Sequence, residues 1–250
     1  METYEYIEEF KIRYADVDFK DEVKASSVLA LMQEVASESA DELGFGYSYI
    51  NPKGYAFVLS NLRVEFTQPI PLGEVIRLRT WPTVPTHVVF GREYLVESKA
   101  GELLARGSSR WCLIERTTGK ILHSKMVDNQ NYDRYNTNRV FESDRWKLPV
   151  FTQEEGENCF SLKIANSEYD HNDHVNNTRY ADYCINCFTV AELRVRWVKT
   201  FSISYIKQCR EGETLRFFRK NLEEGKALVQ GYNEVNEVVV RAEIGFEEKV

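Results

Sequence analysis

The chain has 250 residues, of which 43 % are hydrophobic, 28 % charged and 13 % aromatic. That balance is ordinary for a folded globular protein and excludes a disordered chain, a collagen-like repeat and a coiled coil. The formal charge of −7 makes sequence-independent nucleic-acid binding a poor expectation, because such binding depends on neutralising phosphates.

The first residues, METYEYIEEFKIRYADVD, carry acids and tyrosines where a signal peptide would have a basic region and an apolar stretch. No apolar run reaches the ~18–20 residues of a membrane-spanning helix. A protein of the cytoplasm, with no membrane partner, is expected. Residues 4–14 read as a strand. Val28, Leu31, Met32, Val35, Ala36, Ser39 and Leu43 then recur at helical spacing, which predicts a one-faced helix over 26–43, capped by Ser26 or Ser27 and ended by Gly44. Strand-like segments follow at 55–66, 74–81, 86–98, 102–116 and 120–123. Residues 128–150 are polar and aperiodic and read as a connection. Beyond it come a strand at 159–166, a helix at 178–190 and strands at 193–208, 213–221, 226–233 and 237–248. A strand, a long helix and an antiparallel meander, stated twice, predict an α+β fold in which sheet wraps around helix.

The two statements share wording. Asp18-Phe19-Lys20-Asp21-Glu22-Val23 aligns with Asp170-His171-Asn172-Asp173-His174-Val175, 152 residues later. The segment from Gly73 to Leu78 aligns with Gly212 to Phe217, and that from Glu102 to Arg106 with Glu237 to Arg241. Three blocks in one order predict a duplicated unit. The expected boundaries are an N-terminal unit at 1–127, a linker at 128–156 and a C-terminal unit at 157–250.

Duplication supplies an internal control. Where the first copy has Asp18, Lys20 and Glu22, the second has Asp170, Asn172 and His174. In an extended segment these alternate residues share a side, just ahead of a helix start with unpaired N–H groups. An imidazole can take a proton from water, a carboxylate can orient it, and an amide with backbone N–H can polarise a carbonyl. The same residues would also serve as a hydrophilic turn that caps a helix.

The stretch from Asp170 to Tyr180 resembles the D-x-N-x-H-V-N-N-x-x-Y signature of the acyl-acyl-carrier-protein thioesterases, a plant and bacterial family built from two tandem hot-dog units. A second family motif, a tyrosine strand ending in a Glu-Cys pair, is met by Ser204 to Cys209, with Gln208 in place of the glutamate. Met32-Gln33-Glu34 and Trp81-Pro82 also fit, so the resemblance covers essentially the whole chain. It implies hydrolysis of a fatty acyl thioester on the phosphopantetheine arm of acyl carrier protein, with no cofactor and no metal held by the enzyme. The implied site is Asp170, Asn172, His174 and Cys209, with Gln208 in support. Glutamine cannot act as a general base. Direct attack by water, with Cys209 as a supporting position, is the mechanism expected. An acyl-coenzyme A thioesterase, a hot-dog hydratase or dehydratase, and a non-enzymatic acyl-binding module are the other readings.

By the same analogy the acyl chain should lie among Val28, Met32, Val58 and Leu59 of the first unit. An acidic carrier calls for local cations, and the candidates are Arg194, Arg196 and Lys199, then Arg139, Arg145 and Lys147 of the linker. Cys184 and Cys187 share the apolar face of the second helix and are expected in the core rather than on a metal. His87 and His123 lack partners at ligand spacing. A homo-oligomer stays open.

Overall fold

The computed structural model describes residues 3–127, 134–143, 145–170 and 174–249. The first unit contains β1 (Tyr6–Lys11), α1 (Ala25–Glu42), the short α2 (Tyr47–Ile50), β2 (Tyr55–Phe66), β3 (Val75–Pro82), β4 (Val89–Ser98), β5 (Leu103–Glu115) and β6 (Ile121–Leu122). The second contains β7 (Glu157–Lys163), α3 (Asn177–Ile185), α4 (Val190–Arg194), β8 (Arg196–Tyr205), β9 (Thr214–Asn221), β10 (Lys226–Tyr232) and β11 (Val238–Glu248).

The described strands form one antiparallel sheet in the order β1-β3-β4-β5-β2-β8-β11-β10-β9-β7, with β6 beside β5. Read inward from either end, the two halves have the same order, and they meet where β2 pairs β8 from Asn61↔Ser204 to Glu65↔Thr200. Each half is a helix held by a curved sheet, the hot-dog arrangement expected. The helices α1 and α3 bury their apolar stripes in one shared core. Val28, Leu29, Met32 and Val35 from the first helix join Tyr180, Ala181, Cys184 and Cys187 from the second.

Each of the three repeat blocks has a backbone hydrogen bond matched in its other copy. Asp18 N–H donates to the Glu22 carbonyl at 2.8 Å, and Asp170 N–H donates to the His174 carbonyl at 2.8 Å. Gly73 N–H meets the Ile12 carbonyl at 3.0 Å, and Gly212 N–H meets that of Ile164 at 2.9 Å. Both glycines have positive φ, 84° and 87°, where a side chain would be strained. Ser98 and Glu102 close a hairpin, as Asn233 and Glu237 do.

Three local expectations change. Helix α1 begins at Ala25 without a serine cap, because the Val17–Val23 bridge and the Lys24 N–H bond to the Asp16 carbonyl, at 2.9 Å, fix its start. The expected helix over 178–190 stops at Ile185, and Thr189 opens α4 with a capping box: its Oγ1 accepts from Glu192 N–H at 3.2 Å while its N–H donates to Glu192 Oε2 at 2.7 Å. Strand β8 therefore starts at Arg196, not 193. The described part of the 128–156 connection is a strap across the outside of the sheet. Phe141 and Trp146 stack on the Arg63 guanidinium at 4.2 and 4.6 Å, and Val140 N–H donates to Glu93 Oε2 at 3.2 Å.

Candidate active site

The loop before α3 is drawn tight by the Tyr169–Val175 bridge and by Asn176 N–H, which donates to the Glu168 carbonyl at 2.8 Å. Asn176 caps the helix: its Oδ1 accepts from both the N–H and the hydroxyl of Thr178, each at 2.9 Å. The next residue joins the two units. Asn177 Nδ2 donates to Gln33 Oε1 on α1 at 3.5 Å, and the Asn177 carbonyl accepts from the Tyr205 hydroxyl at 3.0 Å. The loop of the second unit is thereby held against the helix of the first. Asp170 and His174 are both half-buried in this loop. Asn172 lies outside the described residues.

A cavity of about 510 Å³ opens here, within the usual range for a small-molecule site. Asp170, Asn177 and Gln33 stand at it with Ala30 and Ser37 of α1. Phe45, Ile50, Phe57, Phe90 and Trp111 supply aromatic and aliphatic walls from the first unit. Such a space takes an apolar chain at one end and a polar reacting group beside Asp170.

A second, smaller cavity of about 280 Å³ occupies the mirror position, where the Asp18 loop meets α3 and α4. There Lys20 Nζ lies 3.0 Å from Glu22, 3.5 Å from Asp18 and 3.1 Å from the Arg196 carbonyl, and Lys249 lies 2.6 Å from the other oxygen of Glu22. The position that holds His174 in one copy thus holds a carboxylate clasped by two lysines in the other.

The remaining sequence candidates are scattered. Cys209 is fully buried in the core, and burial pushes its thiol up to about 11, partly offset by the neighbouring Tyr180 hydroxyl. It is no activated nucleophile. Gln208 is exposed. Val28, Met32 and Leu59 are packed in the core, and neither they nor Val58 borders the large cavity; their neighbours Ala30, Gln33 and Phe57 do. Arg194 lies over Phe19, Arg196 stacks on Phe246 at 4.1 Å, and Lys199 pairs with Glu247. None of the three lines the Asp170 cavity; Phe19, under Arg194, lines the second one. Arg139 is held by Glu93 at 3.1 Å. Cys184 and Cys187 are buried free thiols in the core, as expected, and burial pushes Cys187 up to about 12. His87 and His123 stand edge-to-face at 6.1 Å. Among the described residues, no cluster of three or more His, Cys, Asp or Glu side chains could hold a metal, and no helix is long and apolar enough to cross a membrane.

Sequence reasoning missed Arg92, Trp111 and Gln33 as cavity residues. A signal existed for Arg92: the inward alternation Phe90, Arg92, Tyr94 on β4 places a charge where an apolar side chain is the norm.

Comparison with known proteins gives one answer for both halves. The family description "Acyl-ACP thioesterase N-terminal domain" matches residues 3–130, and "Acyl-ACP thioesterase C-terminal domain" matches 152–248. The chloroplastic oleoyl-acyl carrier protein thioesterase 2 of Arabidopsis thaliana is 20 % identical over 229 residues, which cover 84 % of this chain and 61 % of that protein. The chloroplastic palmitoyl-acyl carrier protein thioesterase of Gossypium hirsutum is 23 % identical over 223 residues, covering 84 % and 54 %. The chain thus spans little more than half the length of these relatives. In fold it resembles an acyl-ACP thioesterase from Bacteroides thetaiotaomicron, with a TM-score of 0.87 at 23 % identity over 97 % of this chain and 98 % of that one. It equally resembles a 12:0-ACP thioesterase from Umbellularia californica, with a TM-score of 0.88 at 19 % identity over 98 % of each chain.

Proposed function

This chain belongs to the acyl-ACP thioesterase family, and on that premise we propose that it hydrolyses the thioester between a fatty acyl chain and acyl carrier protein. The acyl chain lies in the 510 Å³ cavity of the first unit, and its carbonyl sits at the Asp170 loop. His174 takes a proton from a water molecule as that water attacks the carbonyl carbon, and Asp170 orients the imidazole. The amide of Asn172 and the N–H groups at the start of α3 stabilise the developing oxyanion. Collapse of the tetrahedral intermediate breaks the C–S bond, and the imidazolium returns the proton to the leaving thiolate. The products are a free fatty acid and the phosphopantetheine thiol. Water is the only co-reactant, and no cofactor is called for. The partner in this reading is acyl carrier protein, and the compartment proposed with it is the cytoplasm.

The observation that carries this reading is the difference between two loops closed by the same backbone hydrogen bond. The second copy meets the large cavity through Asp170, Asn176 and Asn177, with His174 next to them in the chain, whereas in the first copy Glu22 is held by Lys20 and Lys249. Cys209 is left out of the chemistry because its thiol is buried and held protonated. The test is release of thiol from one acyl chain presented on acyl carrier protein and on coenzyme A. Faster release from the carrier protein supports the assignment. Preference for coenzyme A would change the partner, and no release from either would remove the activity.

A further inference from the structure

The large cavity is not apolar throughout. Arg92 lines it from β4, yet the residue is only 5 % exposed. Its Nη1 donates to Ser39 Oγ on α1 at 2.8 Å and to Thr80 Oγ1 on β3 at 3.3 Å. Both acceptors are neutral hydroxyls. Among the described residues the groups acting on its charge are the tyrosines Tyr94, Tyr4 and Tyr135, with no carboxylate among them. Its inward neighbours on β4 are Phe90 and Tyr94, and the Tyr94 hydroxyl is taken up by Ser109 at 3.0 Å.

A guanidinium carries five N–H donors and stays charged in proteins. Two hydroxyls on one nitrogen leave Nε and Nη2, with three further N–H groups. A purely hydrocarbon chain reaching this point would displace water from a buried cation and return no hydrogen bond. An oxygen on the chain would return one or two, and a planar fork suits a carbonyl or hydroxyl oxygen. The geometry points to an acyl substrate that bears a hydrogen-bond-accepting oxygen, a hydroxyl or keto group along its chain, read by Arg92. This rests on the cavity being the acyl site, as proposed above, and adds the chemical class of the chain.

The test uses the full chain with acyl carrier substrates of one length, saturated or with a hydroxyl or keto group stepped along the chain, and the matching free acids for calorimetric binding. Both panels are run with wild type, Arg92→Met and Arg92→Lys. Wild type should prefer the best oxygenated chain over the saturated one by at least about tenfold, since sites built to hydrogen-bond a ligand group reject the analogue that lacks it. Arg92→Met should bring that ratio close to one, mainly by loss on the oxygenated chain, and Arg92→Lys should recover part of it. A wild-type ratio near one overturns the inference without any variant having to fold. So does Arg92→Met lowering both substrates alike, because Arg92 would then only tie α1 to the sheet. Hydrolysis without discrimination removes this inference and leaves the proposed activity standing. Arg92-dependent binding of oxygenated acids without hydrolysis does the reverse.

Discussion

His174 and Glu22 sit at equivalent places in two loops closed by the same 2.8 Å backbone bond, so the side chains, not that bond, distinguish the loops. The imidazole can exchange a proton with water; the carboxylate is neutralised by Lys20 and Lys249. Cys209, expected as a supporting position rather than the nucleophile, is fully buried in the core. With its thiol held at about 11, the thiolate fraction at pH 8 is on the order of one in a thousand. Native protein should therefore resist iodoacetamide at Cys209 while unfolded protein reacts, and Cys209→Ala should keep kcat within a few-fold. Peptide mass mapping of the alkylated protein and a thioesterase assay check the two halves of this expectation. The raised thiol also has a stability consequence. Between about pH 9 and 11 the unfolded chain loses this proton first, so the folded state binds more protons and stability falls as pH rises. Denaturant melts of wild type and Cys209→Ala across that window should show a shallower fall in the variant. At this scale the contrast between the copies singled out Asp170 and His174, and Asp170 lines the large cavity. Arg92 gave a weaker signal, a charge on the inward alternation of β4, which resembles a solvated position until the sheet has curved around α1.

Helix α1 was legible because its apolar stripe repeats for more than four turns, and the strand segments because turn residues bound them. The division of α3 from α4 was not, since Cys187 and Phe188 continue the apolar pattern past the helix end, and only the Thr189–Glu192 capping box marks the break. The residues expected by analogy to line the acyl chain, Val28, Met32, Val58 and Leu59, do not border the large cavity. Periodicity finds the face that packs hardest, here Val28, Met32 and Val35, whereas the cavity lies against the next face, with Gln33 and Ser37. Close approach of elements gives a graded prediction. A Cβ on Gly231 of β10 would stand 2.7 Å from the Phe217 ring and 2.8 Å from Val240, neither of which can swing away. A Cβ on Gly107 of β5 would meet the mobile end of Met32 at 2.7 Å. Gly231→Ala should cost about 1–3 kcal/mol, and Gly107→Ala distinctly less, as measured by urea unfolding. The strap should matter as well: Trp146→Ala removes an aromatic face from Arg63 and Arg110, each 4.6 Å from the ring, and should cost about 1–2 kcal/mol.

The two units share a sheet through β2 and β8, a core through α1 and α3, and a strap on the outside, so neither half closes its own apolar surface. Calorimetry should accordingly give one unfolding transition whose van't Hoff and calorimetric enthalpies agree; two separated transitions would mean the halves are independent. Duplication was readable from three short blocks, but what it builds was not. Two loops with the same closing bond and two cavities at mirror positions emerge only when the halves pair edge to edge, and then one loop brings Asp170 to the large cavity while the other is held by ion pairs. One measurement addresses that asymmetry most directly: kcat/KM for hydrolysis of the fatty acyl thioester of acyl carrier protein by wild type, His174→Ala and Glu22→Gln. The expected result is a fall of about a hundredfold or more in His174→Ala and a change of less than a few-fold in Glu22→Gln. Equal losses in both, or none in His174→Ala, would contradict it.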